Sequence, residues 1–317
     1  MATNLIEISK NYNTQLKCLK LLENIRWGKV VKCPNCGSNE TRNAKGEMGR
    51  HACRKCLKTF SVFSDTIFED TRLSLPKWFM AIAIFLNGKG GVSAKELQRS
   101  LGTTYKTSYY LLMRLRVGML LPETKLHGIL EMDESYFGGK PRKRNLPDNV
   151  PILARVDNKR GRGTKKISVA GIVERKGSVK VKVIEKLSKR NLLNMIKNAV
   201  IEDDSVLITD EFKSYKNLSE YIEHLQVNHS KAYSKGLTHT NTIEGFWSYV
   251  KNGIKGSYKA ISRKYLPFYL IEYEWHYNHR NDNSQFMSFL KNAMFQEKEL
   301  LYWKAESKEQ VTKVAYD

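Results

Sequence analysis

The spacing of apolar residues along the chain predicts helices towards both ends and a group of strands between them. Near the N-terminus, Leu16, Leu19, Leu22 and Ile25 recur at the spacing of one helical face. Residues Leu75–Leu121 continue the helical pattern, with breaks at NGKGG and LGTT. The first third of the chain is therefore expected to be mainly helical, apart from a short cysteine-bearing stretch.

The period changes after His127, where runs rich in valine and isoleucine predict β-strands. The predicted strands are GILEMDESYF, KISVAGIVER, SVKVKVIEKL, SVLITD and, as a fifth candidate, LQVNH. A helical SKRNLLNMIKNAVI separates the third strand from the fourth, a short helical YKNLSEYI precedes the fifth, and helices dominate from about Asn241. This β-β-β-α-β-α-β-α order predicts a mixed α/β domain.

A Gly-, Pro- and Lys/Arg-rich segment, residues 138–166, follows the first predicted strand. Its composition predicts a mobile basic loop, in which Arg142, Lys143 and Arg144 are candidates for DNA contact. An inert linker insertion is the alternative, because runs of charge are often only solvated surface.

Two Cys-x-x-Cys pairs, Cys33/Cys36 and Cys53/Cys56, have sixteen residues between them. Structural zinc takes four ligands at tetrahedral corners, and a two-residue gap lets a tight turn aim both thiolates of a pair at one ion. The pattern predicts one structural Zn²⁺ in a closed zinc ribbon. A disulfide pair or free thiols are the alternative, disfavoured in a cytosolic chain. His51 is expected at the surface or facing DNA rather than as a ligand.

The chain has a formal net charge of +22 over 317 residues, with 41% hydrophobic residues. This hydrophobic content excludes a disordered chain, and so basic a protein usually binds a polyanion, most often nucleic acid. A merely soluble basic surface is the alternative. There is no apolar run long enough for a transmembrane helix, and the N-terminus lacks an apolar signal core. We therefore expect no membrane partner and a reducing, cytosolic compartment.

The segment Ser93–Arg116 has the pattern of a helix-turn-helix. Ser93 is expected to cap the first helix, Gly102 to close the turn, and the second helix to begin near Thr103 or Thr104. Residues early in the second helix approach DNA in this motif; here they include Tyr105, Lys106 and Thr107. The residues expected to pack inward are Tyr110, Leu111 and Leu115. Plain packing of a basic helical hairpin is the alternative.

Three acids lie on elements that can bring them together. Asp133 and Asp210 come near the ends of two predicted strands, and Glu244 lies on a predicted helix. Carboxylates held close together repel one another unless cations neutralise them, and Mg²⁺ does so through oxygen ligands. A single strand-end aspartate is usually a solvated cap, so the prediction depends on the three acting together. The competing ligands are Glu131, on the same strand face as Asp133 but deeper, and Glu134 and Glu211, which should point away.

These motifs resemble the DDE transposases of bacterial insertion sequences. The specific resemblance is to the sub-family that joins an N-terminal zinc ribbon to a ribonuclease-H-like core related to the eukaryotic Merlin elements. The matching segments span about Ile25 to Arg280 and are RWGKVVKCPNCGS, CRKCLKTFSV, MDESYFGGK, ITDEFKSY, HTNTIEGFWSYVKNGIKG and YLIEYEWHYNHR. The resemblance implies that Asp133, Asp210 and Glu244 bind two Mg²⁺ or Mn²⁺ ions.

The same resemblance implies roles for residues around Glu244. Lys251, seven residues later, matches the family's lysine and is expected on about the same helix face, where it can hold DNA phosphate. His239 and Asn241 are candidates for orienting the acid or contacting DNA. Trp247 either stacks on an unpaired base or packs under the helix.

The predicted organisation is multidomain. Its segments are an N-terminal helical segment (1–31), a zinc ribbon (32–70), a helix-turn-helix domain (71–122), a ribonuclease-H-like α/β core with a mixed sheet and flanking helices (123–300), and a C-terminal tail (301–317). The basic loop at 138–166 interrupts the core, and its DNA contacts cannot be carried over from the family.

The resemblance implies an enzyme that binds the terminal inverted repeats of its element, cuts there and joins the freed 3′ end to target DNA. Because two DNA ends must be paired, we expect at least a homodimer on DNA, acting in the bacterial cytoplasm at the nucleoid. A non-catalytic DNA-binding regulator derived from a transposase is the alternative. A structure-specific nuclease or resolvase is a third, which leaves two upstream DNA readers unexplained.

The charge generates a first prediction. Affinity for DNA should fall steeply with salt because phosphate contacts release counterions; six or more contacts correspond to a loss of about 10³-fold or more between 50 and 200 mM salt. Fluorescence anisotropy with end DNA measures the slope, with circular dichroism as a control that the fold is unchanged. A flat salt response would contradict the phosphate-contact interpretation.

Overall fold

The computed structural model describes residues 4–44, 48–120, 125–138, 166–211, 215, 218–227 and 239–295. Within these ranges the chain forms nine α-helices and eight strands. The helices are α1 (Leu5–Asn11), α2 (Gln15–Trp27), α3 (Leu75–Asn87), α4 (Ala94–Leu101), α5 (Tyr105–Gly118), α6 (Lys189–Ala199), α7 (Asn241–Gly253), α8 (Leu266–Asn278) and α9 (Gln285–Ala293). The strands are β1 (Thr41–Asn43), β2 (Arg50–Cys53), β3 (Thr59–Ser61), β4 (Leu126–Phe137), β5 (Ile167–Glu174), β6 (Val179–Ile184), β7 (Val200–Thr209) and β8 (Glu223–Gln226).

The chain divides into two compact units. One is built from Met1–Pro122 and Ile271–Val314, and the other is centred on Glu123–Leu270. By this grouping the later part of α8 and all of α9 go with the N-terminal elements, whereas the five-segment division made from the sequence remains a prediction. In the part of the chain that the structure describes, no helix combines the length and apolarity needed to cross a membrane.

The cysteine pairs lie together at the small antiparallel sheet β1-β2-β3. The sulfur atoms of Cys33 and Cys56 are 3.6 Å apart, as are those of Cys36 and Cys53, and all four lie within 4.8 Å of one another. Sulfurs at the corners of a tetrahedron with Zn–S bonds of about 2.3 Å would be about 3.8 Å apart. The donor set and its spacing therefore fit one structural zinc ion, as the sequence predicts.

His51 does not lie at the surface, and the prediction that it faces solvent or DNA was wrong. It is 5% exposed, its Nε2 lies 3.0 Å from a carboxylate oxygen of Glu23, and its ring packs beside Trp27 and Phe60. The reason is strand alternation: on β2 His51 and Cys53 share the buried face. His51 therefore joins the ribbon to α2 without taking part in the cysteine group.

The helix-turn-helix pattern is present as α4, a tight turn and α5. The Ser93 hydroxyl accepts a hydrogen bond from the Glu96 amide at 3.2 Å, and Thr104 caps α5 by accepting from the Thr107 amide at 3.1 Å. Gly102 ends α4 with φ +61°, a left-handed conformation that glycine adopts at little cost. Both helix boundaries agree with the sequence expectation.

One packing prediction for α5 was wrong. Leu111 and Leu115 are buried as expected, but Tyr110 is 44% exposed, with the Arg114 guanidinium 5.2 Å from its ring centroid. The Tyr110 side chain stays exposed to water while its ring face contacts the Arg114 cation. The spacing of apolar residues alone does not tell whether such an amphipathic side chain is exposed or buried.

The second unit is a five-stranded mixed sheet in the order β6-β5-β4-β7-β8. β4 pairs in parallel with β7 and β7 with β8, whereas β5 is antiparallel to both its neighbours. A sheet of this order, with only its second strand reversed, is the ribonuclease-H-like arrangement. The fold class predicted from the sequence is confirmed: N-terminal helices, a zinc ribbon, a helix-turn-helix and a mixed sheet with flanking helices.

Helices cover both faces of this sheet. On one face, α6 buries Leu192 and Ile196 in a cluster with Leu130 and Met132 of β4. On the other face lies α7, so close that a Cβ built on Gly171 would be 2.8 Å from the Trp247 ring. The sequence placed the end of α6 too late: Val200 and Ile201 begin β7 instead, in keeping with the preference of β-branched residues for strands.

The ribbon generates a prediction about stability. Chelation of zinc, or Cys36→Ser, should unfold the segment Arg50–Ser61, because a closed metal site contributes its binding free energy to folding. Hydrogen exchange of that segment should rise, and metal analysis should show loss of one zinc per chain. Cys18→Ser, in a buried cysteine outside the group, is the control and should retain the metal. Unchanged exchange after zinc removal would contradict the structural role.

Candidate active site

The two aspartates lie just beyond the paired part of the parallel strands β4 and β7. Asp210 directly follows β7, whereas Asp133 is not at the end of its strand, because β4 continues to Phe137 in its pairing with β5. In the β4–β7 register, Glu131 is opposite Ile208. Asp133 and Asp210 each lie two residues further along, and neighbouring strands are about 4.8 Å apart. Both aspartates are partly exposed. The register thus brings to one sheet edge two residues that are 77 positions apart in the chain.

Glu244 is carried by α7, which packs on the Asp133 face of the sheet. Asp133 is opposite Gly171 in the β4–β5 register, and Ile243 and Trp247 of α7 lie directly over that glycine. Glu244 is exposed in the first turn of α7, and its Oε1 accepts a hydrogen bond of 2.9 Å from the Thr240 hydroxyl. The predicted packing role of Trp247 is the one observed, because its side chain is 3% exposed and lies against Phe137.

The surroundings of Asp133 change its acidity. Burial raises the pKa of Asp133 to about 7, and the negative charges of Glu134, Asp210 and Glu244 add to the increase. A hydrogen bond from the Glu134 backbone opposes the increase only in part. Asp133 is therefore an acid whose charged form is disfavoured in the folded protein and would be stabilised by a cation.

The three carboxylates do not crowd around a single point. Among the described residues, the four cysteines are the group of potential ligands whose atoms all lie within 4.8 Å of one another, and the carboxylates form no second such group. A pair of ions about 3.5–4 Å apart has a wider span than one ion, so ligands at opposite ends of a two-metal site lie further apart. All-carboxylate donors are hard oxygen ligands, which suit Mg²⁺ or Mn²⁺.

The other acids near the site have separate positions. Glu134 points to the opposite sheet face, as expected, where it accepts a 2.8 Å hydrogen bond from the buried hydroxyl of Tyr215. Burial, followed by the charge of Glu134, raises the pKa of Tyr215 well above its usual value. Glu211 is exposed. Glu131 lies deeper on the Asp133 face, as expected, and is fully buried.

The remaining predicted residues are placed as follows. Lys251 is exposed in the last turn of α7, seven residues after Glu244 and therefore on about the same helix face. Asn241 is exposed at the start of α7, and His239 is partly buried with its Nδ1 3.0 Å from Arg175. The exposed residues at the start of α5 are Tyr105, Lys106 and Thr107. Arg142, Lys143 and Arg144, with most of the predicted basic loop, lie outside the described residues.

The sheet has the ribonuclease-H-like order, and Asp133 and Asp210 lie just beyond the paired part of its central strands β4 and β7. Two family models match the chain: a transposase zinc-ribbon domain over residues 13–59 and an ISXO2-like transposase domain over residues 125–278. The chain belongs to this family of insertion-sequence transposases. The zinc-ribbon match coincides with the four-cysteine cluster, which supports a structural zinc ion.

Curated relatives agree with this assignment. An uncharacterized protein in transposable element ISH50 of Halobacterium salinarum is 26% identical over 275 residues, covering 84% of this chain and 91% of the relative. An uncharacterized transposase-like protein of Haemophilus influenzae is 31% identical over 114 residues, covering 35% of this chain and 89% of the relative.

Solved structures with similarity to the chain include two complexes of Mos1. The Mos1 strand transfer complex is 12% identical with a TM-score of 0.27, covering 69% of this chain and 79% of that one. A pre-cleavage Mos1 transpososome is 14% identical with a TM-score of 0.25, covering 92% and 97%. At these scores no residue correspondence follows, and the roles of individual residues depend on the geometry of this chain.

The pKa of Asp133 generates a prediction with a definite sign. The folded protein binds this proton more tightly than the unfolded chain, whose aspartate pKa is near 3.9, so stability should fall as pH rises from about 4 to about 7. Asp133→Asn cannot ionise. In metal-free protein it should therefore gain stability over the wild type in that window, by roughly 1–4 kcal/mol at pH 8.

Urea unfolding at pH 4 and pH 8 measures this difference. Glu223→Gln, which removes an exposed strand acid of the same sheet, should leave the pH dependence unchanged. Addition of Mg²⁺ at pH 8 should raise the free energy of unfolding of the wild type, and it should raise that of Asp133→Asn much less. Parallel pH profiles for wild type and Asp133→Asn would show that the carboxylate is not held in a repulsive site.

Proposed function

We propose that this transposase cuts and joins the DNA of its insertion sequence by two-metal-ion chemistry, with Asp133, Asp210 and Glu244 as the metal ligands. The observation that carries the proposal is geometric: the β4–β7 register brings Asp133 and Asp210 together, and the helix that bears Glu244 packs on the Asp133 face of the sheet. The raised pKa of Asp133, caused first by burial and then by the charges of Glu134, Asp210 and Glu244, agrees with this placement. The family assignment supplies the reaction class, and the carboxylate set supplies donors suited to Mg²⁺ or Mn²⁺.

Such ions, when bound, activate an attacking oxygen and stabilise the leaving oxygen at phosphorus. The side chains of the protein would orient the ligands and bind the DNA. The Thr240 hydroxyl orients Glu244 by donating to its Oε1. Lys251 is in the last turn of α7, seven residues after Glu244, and we expect it to hold a DNA phosphate beside the carboxylates. Partial burial of Asp133 limits the water around it, which strengthens its attraction for a cation.

We further propose that the DNA ends are read by the N-terminal unit. The exposed start of α5 presents Tyr105, Lys106 and Thr107 in the position from which a recognition helix contacts bases and phosphates. The net charge of +22 supplies sequence-independent attraction for both the terminal inverted repeats and the target. Pairing of two ends calls for at least a homodimer on DNA, in the cytoplasm where the nucleoid lies.

A non-catalytic DNA-binding regulator would share the ribbon, the helix-turn-helix and the charge, so DNA binding alone does not distinguish it from an enzyme. Strand cleavage does. The proposal therefore predicts that a variant at a metal ligand loses DNA cleavage but still binds end DNA.

Asp133→Asn should reduce Mg²⁺-dependent cleavage of end DNA by about 100-fold or more, the scale of losing a principal electrostatic contribution to the transition state. Its Kd for end DNA should stay within about twofold of wild type, because the readers lie in other elements. Gel assays of cleavage and anisotropy measure the two, with Glu223→Gln as the charge-matched control. Cleavage at the wild-type rate would refute the ligand role, and joint loss of binding would indicate a structural one.

A further inference from the structure

The N-terminus of α7 is capped by a side chain from another element. The first-turn amides of a helix have no partner inside the helix, and the N-cap side chain usually accepts from them. Thr240, the N-cap residue here, makes no such bond. Instead, the amides of Thr242 and Ile243 donate to Oε2 of Glu131 at 2.8 and 3.0 Å, and the Thr242 hydroxyl donates to Oε1 at 2.9 Å. A carboxylate at a helix N-terminus is also favoured by the helix dipole.

Because Glu131 caps the helix, the Thr240 side chain makes a different contact. Because Glu131 satisfies the amides, the Thr240 hydroxyl is available to donate to Glu244 Oε1 at 2.9 Å. Glu131 and Asp133 are two residues apart on the same face of β4, about 7 Å along the strand. The contact therefore fixes the helix that carries Glu244 against the strand that carries Asp133.

Arg175 completes the arrangement from the turn after β5. Its Nε donates to Glu131 Oε1 at 2.6 Å, and its Nη2 donates to the His239 carbonyl at 2.8 Å and to His239 Nδ1 at 3.0 Å. The Asn241 amide also points at Nδ1, at 3.4 Å. Nδ1 also lies 3.4 Å from Glu131 Oε1, so His239, Arg175 and Glu131 form one contact group at the start of α7.

Glu131 is not a further metal ligand. Its two oxygens accept from four donors, one on Arg175, two on Thr242 and one on Ile243, which uses the lone-pair sites of a carboxylate. Its side chain is fully buried. Coordination of an ion would require it to give up contacts that hold α7 in place.

We propose that Glu131 is a positioning residue, held by Arg175, that sets the separation between Asp133 and Glu244. This inference rests on the proposed function, because it assigns that separation a role in metal binding. It also has a consequence that does not depend on catalysis: Glu131 should protect the amides of Thr242 and Ile243 from hydrogen exchange.

Glu131→Gln tests both. The amide has one acceptor oxygen, which should turn to the Arg175 charge because charge-assisted hydrogen bonds are the stronger, and its NH₂ then faces the helix amides. Hydrogen exchange at Thr242 and Ile243 should accelerate by about tenfold or more in the full-length zinc-bound protein. The kcat for cleavage should fall, or the half-saturating Mg²⁺ concentration rise, by about 10–100-fold, the usual effect of losing a partner that orients a metal site.

The Kd for end DNA should remain within about twofold, and excess Mg²⁺ should recover part of the rate in Glu131→Gln but none in Asp133→Asn. Glu223→Gln should change none of these quantities. Faster amide exchange with unchanged kcat and Mg²⁺ dependence would overturn the positioning role while leaving the proposed function intact. Wild-type protein without Mg²⁺-dependent cleavage would overturn both.

Arg175→Lys provides a second variant in case Glu131→Gln does not fold. Lysine keeps the charge but has no fork to reach Glu131 and the His239 carbonyl together. Its half-saturating Mg²⁺ concentration should rise in the same direction as that of Glu131→Gln, with end binding unchanged. An unaltered Mg²⁺ dependence in Arg175→Lys would also overturn the inference.

Discussion

The parallel pairing of β4 with β7 is the constraint on which the candidate site of the second unit depends. The register that places Glu131 opposite Ile208 also brings Asp133 and Asp210 out at the same edge of the sheet. Leu130 and Met132, buried on the α6 face, fix that register, because a one-residue slip would turn them towards α7 and direct Asp133 into the apolar cluster. The position of the acids is therefore a consequence of hydrophobic burial on the other side of the strand.

Two acids on one strand face show how surroundings decide what a carboxylate does. Glu131 is fully buried but receives an arginine and three further hydrogen bonds, so its charge is compensated within the fold. Asp133, two residues on, is partly exposed and faces other carboxylates, and its pKa is raised to about 7. The first arrangement holds elements together. The second stores unfavourable electrostatic free energy that a cation can release, which is typical of functional sites.

Local patterns in the sequence predicted what local physics determines. Cysteine spacing predicted the zinc ribbon, strand alternation placed Glu131 and Asp133 on one face, and the order of elements predicted the mixed sheet. Contacts between distant segments left no such signal. Nothing near Arg175 indicates that it meets Glu131, 44 positions away, or that Tyr215 meets Glu134. Tyr110 was misplaced because an amphipathic side chain is buried or exposed according to neighbours that the fold supplies. His51 was misplaced for a local reason, since it shares the buried face of β2 with Cys53.

The four-cysteine group and the proposed carboxylate site differ in the hardness of their donor atoms and in how completely protein ligands fill the coordination shell. The four thiolates lie within 4.8 Å of one another and by themselves provide a full tetrahedral shell for a soft-ligand ion, so this site can be complete without substrate. The carboxylates are hard donors, three in number for a proposed pair of ions, and Mg²⁺ binds few protein ligands and takes water and substrate phosphate for the rest. In the proposed site DNA completes the shell, so ion affinity would depend on the presence of the phosphodiester. The raised pKa of Asp133 fits this arrangement, because burial and the neighbouring acids disfavour its charged form until a cation is bound.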